Sequence, residues 1–369
     1  MSSTFGKNIK ISVAGQSHAD AIGVILDGLP AGFPVDMDAL TAFLKRRAPG
    51  QNRFSTPRKE GDAPEFLSGF LENVTTGAPI MAIIRNTNTR SKDYDALRDI
   101  PRPGHADYTA EIKYGGFQDV RGGGHFSGRL TAPLCIAGGI ALQMLKEKGI
   151  EIFAHIRCVH GEEGTPPAYT PDEIPALRQI AEKDFPAWDD KRGARMQAEI
   201  DKARLSQDSV GGVIEVAAIG LPAGIGAPMF DRLEGKIASA VFGVPAVRGI
   251  EFGNGFAAAA LLGSENNDAF YYDTDGTVKT RTNHAGGMLG GISTGMPLVY
   301  RVAVKPTPSI AKPQESISLS KKTGAVLSVE GRHDPSIVPR AVPVLEAVTA
   351  LALLDALLDY KTIWRNGEK

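Results

Sequence analysis

A mixed α/β or α+β body built as a duplication is the fold class that this sequence predicts, on three observations. A strand, a Gly-Leu-Pro-Ala-Gly turn and a helix occur in that order near residues 22–47, and again near residues 211–242. Two long apolar helical patterns, Leu130 to Lys148 and Pro343 to Trp364, each follow a loop dense in glycine or charge. Glycine (42 residues) and proline (24) are abundant while 42% of the chain stays hydrophobic, which implies many structured turns rather than disorder.

The elements follow in order. Ile9, Ile11 and Val13 alternate with Lys10 and Ser12 as a half-buried strand does, and Ile22 to Leu26 forms a second short run that pairs with it. After Gly28-Leu29-Pro30-Ala31-Gly32, the stretch Asp36 to Arg47 places Met37, Leu40, Phe43 and Leu44 at helical spacing and stops at Pro49-Gly50. Leu130 to Lys148 closes on Lys146, Lys148 and Gly149, as the end of a core helix does. The polar, proline-bearing stretch 161–208 reads as a peripheral insertion with helices near Asp172 to Lys183 and Arg195 to Leu205. Gly211 to Ile219 is a strand, Gly220 to Gly224 repeats the turn, and Met229 to Phe242 repeats the helix. In the last helix, Glu346, Asp355 and Asp359 interrupt the apolar residues and exclude a membrane span.

A chain of 369 residues buries a large core as one domain or two interlocked halves. With 41 basic and 42 acidic residues the formal net charge is −1, so anion binding must be local, and no global field draws the protein to nucleic acid or membrane. The two cysteines, Cys135 and Cys158, form no paired framework and argue against disulfides and metal sites. Met1 to Lys10 carries no apolar leader, and no run approaches the length of a membrane span, so a cytoplasmic protein is the expectation.

The most informative segment is Asp119 to Arg129, with Gly122-Gly123-Gly124 running into the apolar helix. Unpaired N–H groups at a helix start, the positive end of the helix dipole, the Ser127 hydroxyl and the Arg129 guanidinium together suit an anion. The alternative is a tight turn with Ser127 as N-cap. Thr282 to Gly295 places two glycine pairs where backbone can approach a planar ring, or simply turns; Lys305-Pro306-Thr307-Pro308-Ser309 offers an ammonium and two hydroxyls to a phosphate, or is a strand exit. His18 and His105 lie in loops where a proton donor can face a pocket, or each is a structural histidine. Arg332, His333, Asp334 and Arg340 precede the last helix, and Arg46, Arg47 and Arg53 flank Pro49-Gly50, where Arg46 and Arg47 also complement a helix C-terminus. The six basic residues between Lys45 and Lys59 suggest RNA binding as a rival, against which the neutral total charge and only 7% aromatics speak.

From His18 to the C-terminal helix the motifs GxSHx, RRxPG, RPGHADY, RGGGxxSGR, NHAGGxxGGIS, KPTPSI and GRHDP stand in the order and spacing of chorismate synthases, and the chain resembles that family over nearly its whole length. The resemblance implies an α+β fold, a β-α-β sandwich with central helices between antiparallel sheets and an internal pseudo-two-fold repeat, over residues 1–369 as a single domain assembled as a homotetramer. It implies conversion of 5-enolpyruvylshikimate 3-phosphate to chorismate and phosphate, a 1,4-anti-elimination that needs reduced FMN and closes the shikimate pathway to aromatic amino acids. By the same similarity Arg47, Arg53, Ser127, Arg129 and Arg332 hold the substrate, and His105 protonates the leaving phosphate. Asp334 relays the proton that the flavin takes from C6, and His18 keeps the flavin ring protonated near N1. His125, Phe126, Ser127, Ala246, Gly290, Lys305, Pro306, Thr307, Pro308, Ser309 and Arg332 line the flavin, and no metal is implied. Some relatives also reduce FMN with NADPH, but no dinucleotide fingerprint occurs here. Gln16 and Ala19 stand where many relatives have Glu and Gly, and His125-Phe126 replaces a frequent Arg-Ser, which predicts a slightly altered cofactor affinity.

Overall fold

Alternation of apolar and polar residues builds the first sheet. In the computed structural model, which describes residues 3–50, 62–86, 98–329 and 334–359, five antiparallel strands take the order β1-β2-β3-β7-β4. They are β1 (Thr4–Phe5), β2 (Lys10–Gly15), β3 (Ala21–Asp27), β4 (Glu65–Ser68) and β7 (Ile80–Arg85), and a two-residue hairpin, β5 (Phe70–Leu71) with β6 (Val74–Thr75), precedes β7. Ile22, Val24, Leu26, Ile80, Ala82 and Ile84 turn to the core, while Ile25 and Met81 stand on the outer face.

The second half repeats the plan. Strands β8 (Glu151–Val159), β9 (Glu162–Glu163), β10 (Gly212–Ile219), β11 (Val247–Phe252) and β16 (Leu298–Val304) take the order β9-β8-β10-β16-β11, and the hairpin β14 (Met288–Leu289) with β15 (Ile292–Ser293) precedes β16. The equivalence reaches single hydrogen bonds. Gly32 N–H donates to the Thr75 carbonyl at 2.7 Å and Thr75 Oγ1 donates to Pro30 O at 2.7 Å; Gly224 N–H donates to the Ser293 carbonyl at 2.9 Å and Ser293 Oγ donates to Pro222 O at 2.6 Å. Each repeated turn opens on a left-handed glycine, Gly28 at φ +89° and Gly220 at φ +83°, where a Cβ would lie 2.1 Å from Asn8 O and 2.0 Å from Gly149 O. The pentapeptide is thus used the same way twice.

Four helices lie between the sheets: α1 (Met37–Arg47), α3 (Thr131–Glu147), α6 (Leu233–Phe242) and α8 (Val338–Asp359). Asp36 caps α1, its carboxylate accepting from Ala39 N–H at 2.9 Å. Helix α3 touches β2, β3 and β7 on one side and β8 and α8 on the other; α8 touches β8 and β10. The two cross where a Cβ on Gly138 would lie 2.3 Å from that of Ala347, so glycine sets their separation. By length and composition the segment Gly128–Glu147, which ends in α3, and helix α8 could each cross a membrane, yet both are mostly buried within the sandwich. Burial on every side accounts for their composition.

Buried polar groups on α8 are partnered. Glu346 forms a two-pronged ion pair with Arg46 at 2.6 and 2.9 Å, Thr349 meets Tyr300 Oη at 2.5 Å, and Asp355 accepts from the N–H groups of Lys7, Asn8 and Ile9 at 2.9, 2.7 and 3.1 Å and from Lys236 at 2.8 Å. Helix α8 begins at Val338 rather than Pro343: Val338 and Val342 are fully buried, and that packing carries the helix through a proline that removes one N–H donor.

Residues 161–208 pack on the outside of the second sheet. Helices α4 (Ile174–Ile180) and α5 (Asp190–Leu205) lie against β8, with Tyr169, Leu177 and Ile180 meeting Ala217, Phe153 and Val299. This cover makes β10 a near-continuous buried strand. Helix α5 starts five residues before the predicted Arg195 because Asp189 caps it through Arg192 N–H at 3.0 Å. The predicted helix 229–242 is a 3₁₀ turn, Met229–Asp231, followed by α6. The remaining elements are α2 (Asp107–Tyr114), α7 (Gly263–Asn266) and the hairpins β12 (Phe270–Tyr272) with β13 (Val278–Thr280) and β17 (Gln314–Ser318) with β18 (Thr323–Leu327).

Candidate active site

A cavity of about 720 Å³ opens where the segments leading into α3 and α8 meet, one from each half of the duplication. The β2–β3 turn supplies Ser17 and His18, the end of α1 supplies Arg47, and the end of β7 supplies Arg85 and Asn86. The loop before α2 adds Arg102, Gly104, His105 and Ala106, the glycine loop adds Gly122 and His125 to Arg129, and Phe242 to Val247 form an apolar wall after α6. Lys305, Thr307, Pro308 and Ser309 enter from beyond β16, and Asp334 and Arg340 from the start of α8.

Two of the three glycines are explained by the two histidines, and the third by the Asp119 carbonyl, which a Cβ on Gly124 would meet at 2.0 Å. Gly122, Gly123 and Gly124 take φ of +59°, +83° and +54°. A Cβ on Gly122 would lie 2.3 Å from the His18 ring, and one on Gly123 would lie 3.0 Å from His105 Nε2. The loop backbone therefore rests directly on both imidazoles. His18 is buried, with Nδ1 3.2 Å from Ser17 Oγ.

His105 is held from behind. Its Nδ1 lies 2.6 Å from Asp107 Oδ1, and Asp107 is clamped by Arg102 through Nε at 2.7 Å, Nη2 at 2.7 Å and the backbone N–H at 3.0 Å. Burial works to raise the Asp107 carboxyl, but its hydrogen bonds from Arg102 and His105 hold it well below the usual carboxylate range. Arg102 Nη1 also donates to Ser309 Oγ at 3.0 Å, which ties this network to the Lys305–Ser309 loop.

Asp62 joins two arginines. It accepts from Arg47 Nη1 at 2.7 Å and from Arg129 Nη1, while Arg47 also donates to Thr131 Oγ1 at 3.1 Å and Gly128 O at 3.0 Å. Burial works to raise Asp62, and the charges of Arg47 and Arg129 more than offset it, so the carboxyl stays below its ordinary value. Burial and then the charges of Arg340 and Arg129 bring Arg47 down to about 10, which leaves it a cation at neutral pH. Arg129 further meets Asn86 Oδ1 at 3.3 Å, and Asp334 accepts from Arg340 Nη1 at 2.6 Å. Among the described residues, Arg47, Arg85, Arg102, Arg129, Arg248, Lys305 and Arg340 line the cavity as cations against the carboxylates Asp62 and Asp334. A chain of net charge −1 has gathered its positive charge here.

Of the residues singled out from sequence, His18, His105, Asp334, Arg47, His125, Phe126, Ser127, Arg129, Ala246, Lys305, Thr307, Pro308 and Ser309 line this cavity. Pro306 is exposed outside the lining, and Gly290 sits at the exposed tip of the β14–β15 hairpin, also outside it. Arg53 and Arg332 lie outside the described residues. His125 has both ring nitrogens engaged: Nδ1 donates to Gly15 O at 2.8 Å and Nε2 meets Ser3 Oγ at 2.8 Å. It ties the glycine loop to the N-terminal strands rather than presenting a donor to the cavity. Ser127 Oγ accepts from Arg129 N–H at 3.3 Å, so the capping reading holds alongside the cavity position. Sequence reasoning gave no role to Arg102, Asp107, Asp62 or Asn86, and named Arg340 only as a cation before the last helix. Asp107, two residues after His105, carried a signal; Asp62 is a single carboxylate in a loop and carried none.

A profile of the chorismate synthase family matches residues 9–358. A chorismate synthase of Lancefieldella parvula is 49% identical over 371 residues, covering 98% of this chain and 97% of that protein. One from Korarchaeum cryptofilum is 44% identical over 354 residues, covering 96% of this chain and 97% of its own. A crystal structure of chorismate synthase superposes with a TM-score of 0.74 at 27% identity, covering 96% of this chain and 92% of that one. Over nearly its whole length, in sequence and in fold, the chain belongs to the chorismate synthase family.

Proposed function

We propose that this cavity converts 5-enolpyruvylshikimate 3-phosphate to chorismate and phosphate by 1,4-anti-elimination, with reduced FMN as cofactor. The observation that carries the reading is the meeting of a cationic cavity with a histidine oriented by a carboxylate. A substrate bearing two carboxylates and a phosphate needs several cations, and Arg47, Arg129 and Arg340 hold positions to bind it, with Arg53 and Arg332 assigned by similarity. His105 transfers a proton from Nε2 to the leaving phosphate oxygen, which lowers the charge on the departing group. Asp334, beside Arg340, accepts and passes on the proton lost from the substrate.

The residues present fit a flavin. Thr307 Oγ1 is buried without a hydrogen-bond partner, a polar atom suited to a ligand. Phe242 to Ala246 give an apolar face for a planar ring, and Lys305 with Ser309 stands ready for a phosphate. Reduced FMN, when bound, supplies electron density for C–O cleavage. His18, packed under Gly122, would hold a proton toward the bound cofactor. Assembly as a homotetramer in the cytoplasm, with a small molecule as the partner and no nucleic acid or membrane, belongs to the same proposal. The test is anaerobic turnover of 5-enolpyruvylshikimate 3-phosphate with chemically reduced FMN, following chorismate and free phosphate together. Equal amounts of both are expected; binding of both ligands without either product refutes the assigned reaction.

A further inference from the structure

We propose that Asp107 is a positioning residue that fixes the tautomer and the direction of the His105 imidazole, and that Arg102 anchors it to the Lys305–Ser309 loop. The inference rests on the reading of His105 as the acid.

A carboxylate only accepts hydrogen bonds, so the 2.6 Å contact from Asp107 Oδ1 places a proton on His105 Nδ1. Arg102 Nη2, 3.1 Å from that same nitrogen, is a donor that would suit an unprotonated Nδ1, but it donates to Asp107 Oδ1 at the shorter distance of 2.7 Å, and the 2.6 Å carboxylate contact decides where the proton sits. Nε2 is then the nitrogen left to face the cavity, against Gly123. In the cationic imidazolium Nε2 carries the transferable proton, and after transfer the ring is left as the Nδ1–H tautomer that Asp107 already favours. Asp107 does not line the cavity. It acts only through His105, and its side chain is fixed because Arg102, itself buried, grips both oxygens. The same guanidinium reaches Ser309, also buried, so the direction of the acid is tied to the Lys305–Ser309 loop that packs beside it.

Asp107→Asn keeps the shape but inverts the hydrogen bond. The amide oxygen stays with Arg102, the amide NH2 turns to Nδ1, and the proton moves to Nε2 in the neutral ring. The expected loss is about 100-fold or more in kcat, within the range of roughly 10²–10⁴ that a positioned acid contributes. KM should change little. The double variant His105→Ala/Asp107→Asn should be no slower than His105→Ala. Additive losses in that pair, or full turnover in Asp107→Asn while His105→Ala is inactive, overturn the positioning role and leave the acid reading standing. Full turnover in His105→Ala overturns the acid reading itself. Independently of how the variants fold, long-range ¹⁵N–¹H spectra of the wild-type holoenzyme labelled at histidine report the tautomer directly. A neutral His105 protonated on Nδ1 supports the proposal, and one protonated on Nε2 ends it.

Discussion

Gly122→Ala is the substitution that most directly tests how the glycine loop seats the histidines. Gly122 sits at φ +59°, and an added Cβ would lie 2.3 Å from His18 Nδ1 and Cε1 and 2.6 Å from Ser17 Oγ. A left-handed alanine costs about 1–2 kcal/mol from backbone sterics alone. Driving a methyl into a buried ring adds about 1–3 kcal/mol, because His18 must leave its position. Gly149→Ala separates the two contributions, since Gly149 has φ +75° and nothing within 4 Å of its Cβ position. It should bear only the backbone cost. Urea unfolding of both variants, followed by far-ultraviolet circular dichroism, should therefore show Gly122→Ala less stable than Gly149→Ala by about 1–3 kcal/mol. Turnover should fall at least about tenfold in the first and stay near wild type in the second, since a shift of about 1 Å in a reacting group is costly. Equal stability and equal turnover in the two variants would refute the claim that the glycine makes room for His18.

Other predictions follow from the buried charges. Asp62→Asn strips Arg47 and Arg129 of their shared carboxylate and should cost about 3–5 kcal/mol of stability, measured by urea unfolding. Since the Asp62 carboxyl is held below its ordinary value, its contribution is complete above the unfolded value of about 3.9 and is lost as pH falls through the lower folded value. The stability gap between wild type and Asp62→Asn should thus narrow only on acidification below about pH 4. His105→Ala should lose most turnover while retaining FMN by fluorescence titration; near-normal turnover would refute the acid role. Asp355→Ala leaves three backbone N–H groups and Lys236 without their acceptor and should cost about 3 kcal/mol or more, each unsatisfied buried donor costing about 1–3 kcal/mol.

Local pattern and motif carried much of this protein. The period-2 run at Ile9–Val13, the capped helix after Asp36 and the apolar stretch after Leu130 were legible because each is decided by neighbours in sequence. So was the duplication, whose pentapeptide turns require glycine at the same left-handed positions in both copies. The helix starts at Val338 and Asp190 were not, since packing of Val338 and Val342 overrides the proline signal at Pro343, and since Asp189 is one of several capable caps in a polar stretch.

The candidate site divides in the same way. Residue type and motif pointed to His18, His105, Arg47, Arg129 and the Lys305–Ser309 loop before any coordinate, because glycine runs, histidines and clustered arginines are chemically conspicuous. Only the tertiary structure decided what stands behind them. Asp62 reaches Arg47 and Arg129 from a loop with no motif, and Arg102 spans from Asp107 to Ser309 across two hundred residues of chain. The Arg102–Ser309 contact depends on how the two halves of the duplication close on one another, and the Asp62 contacts on how a loop of the first half folds over α1 and the start of α3. A one-dimensional pattern records which residues can turn inward; the partner each one meets is set by the packing of α3 and α8 between the sheets, a long-range property that no local spacing encodes.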